Sequence, residues 1–429
     1  MRALVIGSGG REHALAWRLR NSASIRELYA SPGNPGISQV AECIAAPRRG
    51  RSSEAAPDYV ALAEQLRPDL TVVGPEAPLV AGIVDRFRER GFAIVGPTAA
   101  NAALEGSKIH SKRFMQKLGV PTARFEIAET ARAARDALKH FRYPVVLKTD
   151  GLAAGKGVII AQDENEALAA IASLALPLVM EEFLEGEEVS FIVLADGRRA
   201  VPLEPSQDHK RVFDGDEGPN TGGMGAYSDS RLLDPAERDR IMEKIIEPVI
   251  AATGYTGFLY AGLMMTPDGP GVLEFNVRMG DPETQPLMAR LESDWGEALM
   301  EAARGALSVE RLAWSPEPAT CVVLASGGYP GTYETGKPIT GLDEARDAIV
   351  FHAGTKLEGG HTVTAGGRVL GVTARGENLE TSIASAYAAC GRISFEGMHY
   401  RRDIGQKGLR RYNKEQRRDQ IIGARSSVG

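Results

Sequence analysis

The apolar positions of the first hundred residues come in short runs that end on glycine. Residues 2–6 form one run, which Gly7-Ser-Gly-Gly-Arg-Glu-His13 turns into a stretch of helical spacing at 14–20. Residues 70–73 form a second, closed by Gly74-Pro-Glu76, and 93–95 a third, closed by Gly96-Pro97. Buried strands alternating with helices predict a βαβ unit with a parallel sheet. Such sheets hold ligands at the carboxyl ends of their strands, where these turns lie. A helical pattern over 101–118 is stopped by Gly119 and Pro121. Strands are then expected at 145–148 and 158–160 around a glycine-rich hairpin, and at 257–265 and 272–277 across the turn Pro267-Asp-Gly269. From about residue 320 the alternation restarts, with strands at 321–325, 351–355 and 368–373 and a helix at 379–391. The chain is thus expected to be α/β and α+β multidomain. A βαβ unit takes 1–101 and a central unit 102–320, including a smaller part at about 122–188. An α+β unit takes 321–405, and a basic tail 406–429.

Composition narrows the classes. Apolar residues at 43% and charged residues at 25% are those of a soluble globular chain, and 429 residues allow two to four domains. A net charge of −6 gives no general attraction to nucleic acid. The three cysteines have no zinc or disulfide spacing, which fits a reducing cytoplasm. No apolar run is long enough to span a bilayer, and Met1-Arg-Ala-Leu-Val-Ile-Gly7 is not a signal peptide. The segment 401–429 carries nine Lys/Arg against three acids and is expected to be a solvated, partly frayed tail.

Candidate chemistry centres on Val272-Leu-Glu-Phe-Asn-Val-Arg278. Strand alternation puts Leu273, Phe275 and Val277 on one face and Glu274, Asn276 and Arg278 on the other. The second face offers two oxygen donors, which suit Mg²⁺ beside phosphates, and a guanidinium that clamps phosphate or carboxylate. The competing reading is a solvated strand face with a local ion pair. The stretch Lys148-Thr-Asp-Gly-Leu-Ala-Ala-Gly-Lys-Gly157 is not a Walker A loop: its spacing differs, no Ser or Thr follows Lys156, and a strand follows instead of a helix. A glycine hairpin with lysines can still fold over phosphates. A plain hairpin leaves unexplained why Lys148 sits in an apolar strand, where an unpaired ammonium is costly. Gly7-Ser-Gly-Gly10 matches a dinucleotide fingerprint only in part, because position 12 is Glu. Its helix N-terminus, with Arg11, suits a phosphate. Asn34-Pro-Gly36 and Gly74-Pro-Glu76 are further turns on the same edge, as expected for a small phosphorylated ligand. Backbone groups at Glu182 to Leu184 could read an adenine edge with Phe183 and Leu184 as apolar walls, and Glu188 would suit a ribose.

These stretches, together with Leu104-Glu-Gly-Ser-Lys108, Glu181-Glu-Phe-Leu-Glu-Gly-Glu-Glu188, Ser206-Gln-Asp-His-Lys-Arg211, Gly218-Pro-Asn-Thr-Gly-Gly-Met-Gly225 and Met279-Gly-Asp-Pro-Glu-Thr-Gln285, resemble the phosphoribosylamine–glycine ligases of the ATP-grasp superfamily. They follow that family's order over about residues 1–405. The resemblance implies an ATP-grasp fold with a pre-ATP-grasp βαβ domain before it and a small α+β domain after it. It implies ligation of glycine to 5-phosphoribosylamine through glycyl phosphate, with ATP and Mg²⁺ or Mn²⁺. Glu274 and Asn276 would hold the metal, and Arg278, Lys210 and Asp208 would be catalytic. Lys108, Lys148, Gly155, Lys156, Gly157, Glu181, Glu182, Phe183, Leu184 and Glu188 would bind ATP. The substrate would meet Gly9, Gly10, Arg11, Glu12, Asn34, Pro35, Gly36, Pro75, Glu76, Asp208, Asn220, Thr221, Gly222, Gly223, Gly280, Asp281 and Pro282. Small-molecule partners, no nucleic acid, no membrane, a monomer and a stand-alone ligase are expected. Two departures stand out. Residues 171–178 replace a longer insertion in the lid, and Tyr260-Ala-Gly-Leu-Met-Met265 lacks the acid many ATP-grasp enzymes carry there. Another ATP-grasp carboxylate–amine ligase and a non-catalytic nucleotide-binding protein are the competing functions.

Overall fold

A computed structural model describes residues 1–48, 56–152 and 157–414. Five parallel strands form the first sheet, in the order Glu42–Cys43, Glu27–Pro32, Arg2–Gly7, Leu70–Val73, Ile94–Val95. The chain leaves Arg2–Gly7 toward one side and returns on the other. The order therefore reverses where the turns after Gly7 and Val73 lie. The helix starts at once, spanning Gly10–Arg20, and Glu12 folds back to accept the Gly9 N–H at 2.6 Å. Its side chain fills the space beside Gly7 and Gly74, where a methyl group would overlap it.

The smaller part of the central unit is a four-stranded antiparallel sheet, ordered Phe125–Ala128, Leu178–Glu182, Val145–Thr149, Val158–Ala161. Ala134, Ala137, Ala167, Ala170 and Ile171 of the helices Ala131–Ala137 and Glu164–Ser173 bury one face together with Leu147 and Met180. The abbreviated connection at 171–178 removes no strand, because Glu164–Ser173 leads directly into Leu178–Glu182.

The largest sheet has nine strands. Gly269–Asn276, Thr256–Thr266, Glu187–Asp196, Ser206–Asp208 and Gly225–Ser228 are followed without a break by Ala319–Ala325, Arg368–Arg375 and Ile349–His352; Ala200–Pro202 pairs at the side. Gly225–Ser228 pairs with Ala319–Ala325, so the C-terminal segment lies directly beside the loop 220–225.

Four expectations are corrected. Leu273 does not share a face with Phe275 and Val277. Val272 pairs with Leu263 and Glu274 with Gly262, so Leu273 bulges out between them and Val272 takes its place in the core. The strand ends at Asn276, and Arg278 stands on the turn beyond it, since Val277 gives its N–H to Glu105 Oε2 (2.8 Å) instead of a neighbouring strand. The start of the basic tail is neither solvated nor frayed. Arg401 and Ile404 are fully buried, residues 406–414 are helical, and Tyr412 packs with Tyr227 and Leu379. The predicted helix at 101–118 is two helices, Ala99–Gly106 and Lys108–Leu118, because Ser107 leaves helical geometry to cap the second.

Candidate active site

The bulge at Leu273 is gripped from two sides. Lys148, on the lid sheet, donates to Leu273 O at 3.1 Å and to Glu181 Oε2 at 3.0 Å. Lys112, on the helix Lys108–Leu118, reaches the same carboxylate at 2.9 Å and donates to Thr122 Oγ1 at 2.6 Å; Thr122 in turn donates to Val272 O. Lys148 thus sits in its apolar strand because a buried acid and a strand carbonyl receive it. One carboxylate against two ammonium groups leaves a positive excess beside Glu274. Burial, with Lys148 nearby, lowers Lys112 to about 8 despite Glu181. Lys108 opens its helix, donates to Gly151 O at 2.8 Å, and is also lowered by burial. Burial pushes Glu274 up, but Lys210, Lys148, Lys108 and Arg278 together hold it below the ordinary carboxylate range. It therefore stays ionised.

Arg278 turns back over this strand. Its Nη2 donates to Asn276 Oδ1 at 3.2 Å and pairs with Glu105 at 2.9 Å, while Nε lies 3.3 Å from Glu76. The strand's two oxygen side chains, Glu274 and Asn276, are of the donor type that suits a hard divalent cation, whose other positions phosphates and water would have to supply. Among the described residues no group of three or more His, Cys, Asp and Glu forms a self-sufficient metal cage. Lys210 pairs with Glu188 at 3.0 Å. Burial and the neighbouring Glu283, Glu188 and Glu274 raise Asp208 to about 7, against the pull of Lys210. Glu283 accepts from Tyr260 Oη at 2.5 Å and from Ser190 at 3.3 Å.

The remaining candidates are distributed around this centre. Arg11 is turned inward, donating to Glu12 Oε1 (2.6 Å) and Met279 O (3.2 Å), so the charge expected to face a phosphate is already engaged. Asn34 ties its loop to Ser8 O and His352 O, both at 2.8 Å, and Gly36 lies against His13 and His352 beyond Pro35. Pro75 precedes the helix Glu76–Val80. Asn220 ends the strand Glu217–Asn220, Thr221 Oγ1 donates to Lys210 O and accepts from Gly223 N–H, and Gly223 packs on Pro282. Gly280 makes room for Glu283, and Asp281 accepts from Gln285 at 2.8 Å. Glu182 Oε1 accepts the Arg124 N–H, Phe183 is exposed, and Leu184 touches Gly271. Gly157 O accepts the Thr149 N–H. Gly155 and Lys156 lie outside the described residues. Sequence reasoning missed Lys112, Glu105, Glu283 and Tyr260. Lys112 carried a signal: it stands four residues after Lys108, on the same helix face.

Three domain families match in sequence: the Phosphoribosylglycinamide synthetase N domain over 1–105, its ATP-grasp (A) domain over 106–284 and its C domain over 319–407. A phosphoribosylamine–glycine ligase of Pseudomonas aeruginosa is 46% identical, with 97% of this chain and 100% of that protein aligned. The chain belongs to the phosphoribosylamine–glycine ligase family. The crystal structure of the ligase from Thermotoga maritima superposes with a TM-score of 0.81 at 35% identity, covering 94% of this chain and 100% of that one. At 17% identity the biotin carboxylase domain of Hydrogenobacter thermophilus 2-oxoglutarate carboxylase, solved with MgADP, shares the fold (TM-score 0.71), covering 92% of this chain and 91% of that one. The expected fold class therefore holds: a parallel-sheet N domain, an ATP-grasp domain and a C domain. Its activity class is that of an ATP-dependent ligase of purine biosynthesis. Among the described residues no helix is long and apolar enough to cross a membrane.

Proposed function

We propose that the chain joins glycine to 5-phosphoribosylamine by way of glycyl phosphate, at the seam between the lid sheet, the metal-side strand and the N-terminal turns. What supports this most is the cluster of Lys148, Lys210, Lys108 and Arg278 whose charges together hold the half-buried Glu274 carboxylate below its ordinary range. Cations so arranged match a triphosphate whose terminal group is being transferred. Glu274 and Asn276 would hold Mg²⁺ or Mn²⁺, which when bound screens the β and γ phosphates. Backbone groups at Glu182 to Leu184 would meet adenine, Glu188 the ribose, and Lys108, Lys148 and the hairpin ending at Gly157 the phosphates. A carboxylate oxygen of glycine attacks the γ phosphorus as the bond to ADP breaks, and Arg278 offsets the charge there. The amine of phosphoribosylamine, held by Asp208 and the Asn220–Gly223 and Gly280–Pro282 segments, then attacks the acyl carbon and expels phosphate. No protein nucleophile is needed, so placement and charge carry the rate.

The test is Glu274→Ala. Its ATP turnover, measured as ADP release with glycine and phosphoribosylamine both present, should fall by about 10²-fold or more while the variant melts near the parent. Wild-type turnover should require both substrates. Full activity of the folded variant would remove the metal-side assignment, and ATP bound tightly without ADP release by the parent would favour a nucleotide-binding role instead.

A further inference from the structure

The C-terminal unit reaches the loops at 220–223 and 280–282 chiefly through one guanidinium. Arg368, the first residue of the strand Arg368–Arg375, donates through Nη1 to Gly222 O and Asp281 O, both at 2.6 Å, and through Nη2 to Asp281 Oδ2 at 3.1 Å. Gly222 and Asp281 are 59 residues apart in the chain and belong to the two loops that the proposed reaction sets around phosphoribosylamine. Directly between those loops Gly223 packs on Pro282 and Asp281, and Arg368 Nη1 also reaches Gly223 O at 3.4 Å. A second C-terminal residue completes the hold: Tyr329 Oη accepts the Gly222 N–H at 3.1 Å. Both backbone polar groups of Gly222 are therefore engaged by the C-terminal unit. The fit is close, since a Cβ at Gly222 would lie 3.0 Å from Arg368 Cζ and would push the guanidinium back by a few tenths of an ångström. The continuous sheet makes the reach possible, because Gly225–Ser228 pairs directly with Ala319–Ala325, whose other neighbour is Arg368–Arg375.

We infer that Arg368 is a positioning residue for phosphoribosylamine, setting the distance between the Asn220–Gly223 and Gly280–Pro282 loops, with Tyr329 as its auxiliary. The inference rests on the reading that phosphoribosylamine lies on those loops. A planar fork with several donors suits the task, since it ties two carbonyls and a carboxylate into one plane; a lysine ammonium lacks that geometry. The hydrogen bonds of Arg368 go to Gly222, Gly223 and Asp281 and to none of Lys108, Lys148, Glu181, Glu182 or Glu188, so its direct hold is on the phosphoribosylamine side. This separates it from a general stabilising contact.

The experiment compares Arg368→Met, Arg368→Lys, Tyr329→Phe and Asn220→Ala in the full chain, with initial rates at varied ATP, glycine and phosphoribosylamine. Arg368→Met is expected to raise KM for phosphoribosylamine about tenfold, with KM for ATP within about twofold of the parent. Arg368→Lys should fall between, and Tyr329→Phe should shift the same constant less. Melting with Mg·ATP reports whether each variant keeps its fold and nucleotide site. If Asn220→Ala alters phosphoribosylamine KM and a folded Arg368→Met does not, the role of Arg368 is overturned and the site stands. If both variants are silent, the placement of phosphoribosylamine itself is wrong. Proportional loss toward all three substrates with a lowered melting point would show Arg368 to be merely structural, which also overturns the inference.

Discussion

Lys112 and Lys148 share the carboxylate of Glu181, and all three are largely buried. One negative charge cannot neutralise both ammonium groups, so the cluster carries a surplus that a triphosphate can use. Removing Lys112 would let Glu181 neutralise Lys148 alone, and the surplus would vanish although Lys148 itself is untouched. Lys112→Met should therefore raise KM for ATP by about tenfold, a loss of about 1.4 kcal/mol of binding. Lys112→Arg, which keeps the charge, should recover most of it. Melting should drop as well, because Thr122 loses its donor, but Glu181 keeps one partner, so the full penalty of an unpaired buried charge does not arise. An unchanged ATP KM in Lys112→Met would mean that Lys148 reaches the phosphates independently of this sharing.

At the scale of the element, the helix Lys108–Leu118 shows how a cap can serve chemistry. Ser107 accepts the His110 N–H at 3.1 Å and donates to Asp150 on the lid side at 3.0 Å, while Asp150 also accepts the Ile109 N–H at 3.1 Å. The helix end is thus capped once by its own chain and once by the lid, and Lys108 is fixed between them. Ser107→Ala should cost about 1 kcal/mol, the usual value of a lost cap. It should also weaken ATP binding modestly, readable as a lowered melting point together with a raised ATP KM. A variant that melts lower with unaltered ATP KM would uncouple cap and site. The same helix shows why the sequence was only partly legible. Periodicity identified helical residues from 101 to 118 but could not see the break, because Ser107 fits a helical pattern and only its partner Asp150, 43 residues on, selects the cap. The strand Gly269–Asn276 was legible as a strand with its acid and amide, since a period of two is a local signal. Its bulge was not, because it arises from Lys148 and Thr122 claiming the carbonyls of Leu273 and Val272 across long sequence separations. Glu27–Pro32 was missed because its pattern is not apolar enough to announce a strand; its neighbours in the sheet make it one. Arg401 read as tail for the same reason: its partners Asp216 and Arg211 lie nearly 200 residues away.

Across the whole molecule, three buried histidines stand at the joints of the C-terminal unit. His13, on the first helix, accepts the His352 N–H at its Nδ1 (2.8 Å), and His352 itself meets Thr355 Oγ1 at 3.0 Å. His209, on the central sheet, accepts the Gly405 N–H at 3.4 Å, in the field of Arg401 and Lys407. Burial, aided by His352, lowers His13 to about 3; burial, aided by Arg401 and Lys407, lowers His209 to about 3; burial alone lowers His352 to about 4. A protonated ring would also lose its role as acceptor at Nδ1 of His13 and at Nε2 of His209. The sign follows from linkage. The folded values lie below the unfolded value of about 6.5, so between pH 6.5 and 4 the unfolded chain binds more protons than the folded one. The contribution to stability is complete above pH 6.5 and is lost as pH falls, by at most about 1.4 kcal/mol per pH unit for each histidine. Asp403, held low by Arg401 and by the Gly215 N–H against its burial, loses its contribution only at more acid pH, below the ordinary aspartate range, so the two effects separate. Denaturant unfolding at pH 7 and pH 5 should show a loss of stability at the lower pH, offset in part by Asp208, whose raised value lets the folded chain take up a proton over the same range. Limited proteolysis at pH 5 should open the C-terminal unit first, because all three rings lie where it meets the rest of the chain. His209→Gln should flatten the pH dependence by up to about one third while leaving stability at pH 5 closest to the parent. A His209→Gln variant that keeps the parent's pH dependence would show that this ring is not held neutral, and its joint would then owe nothing to it.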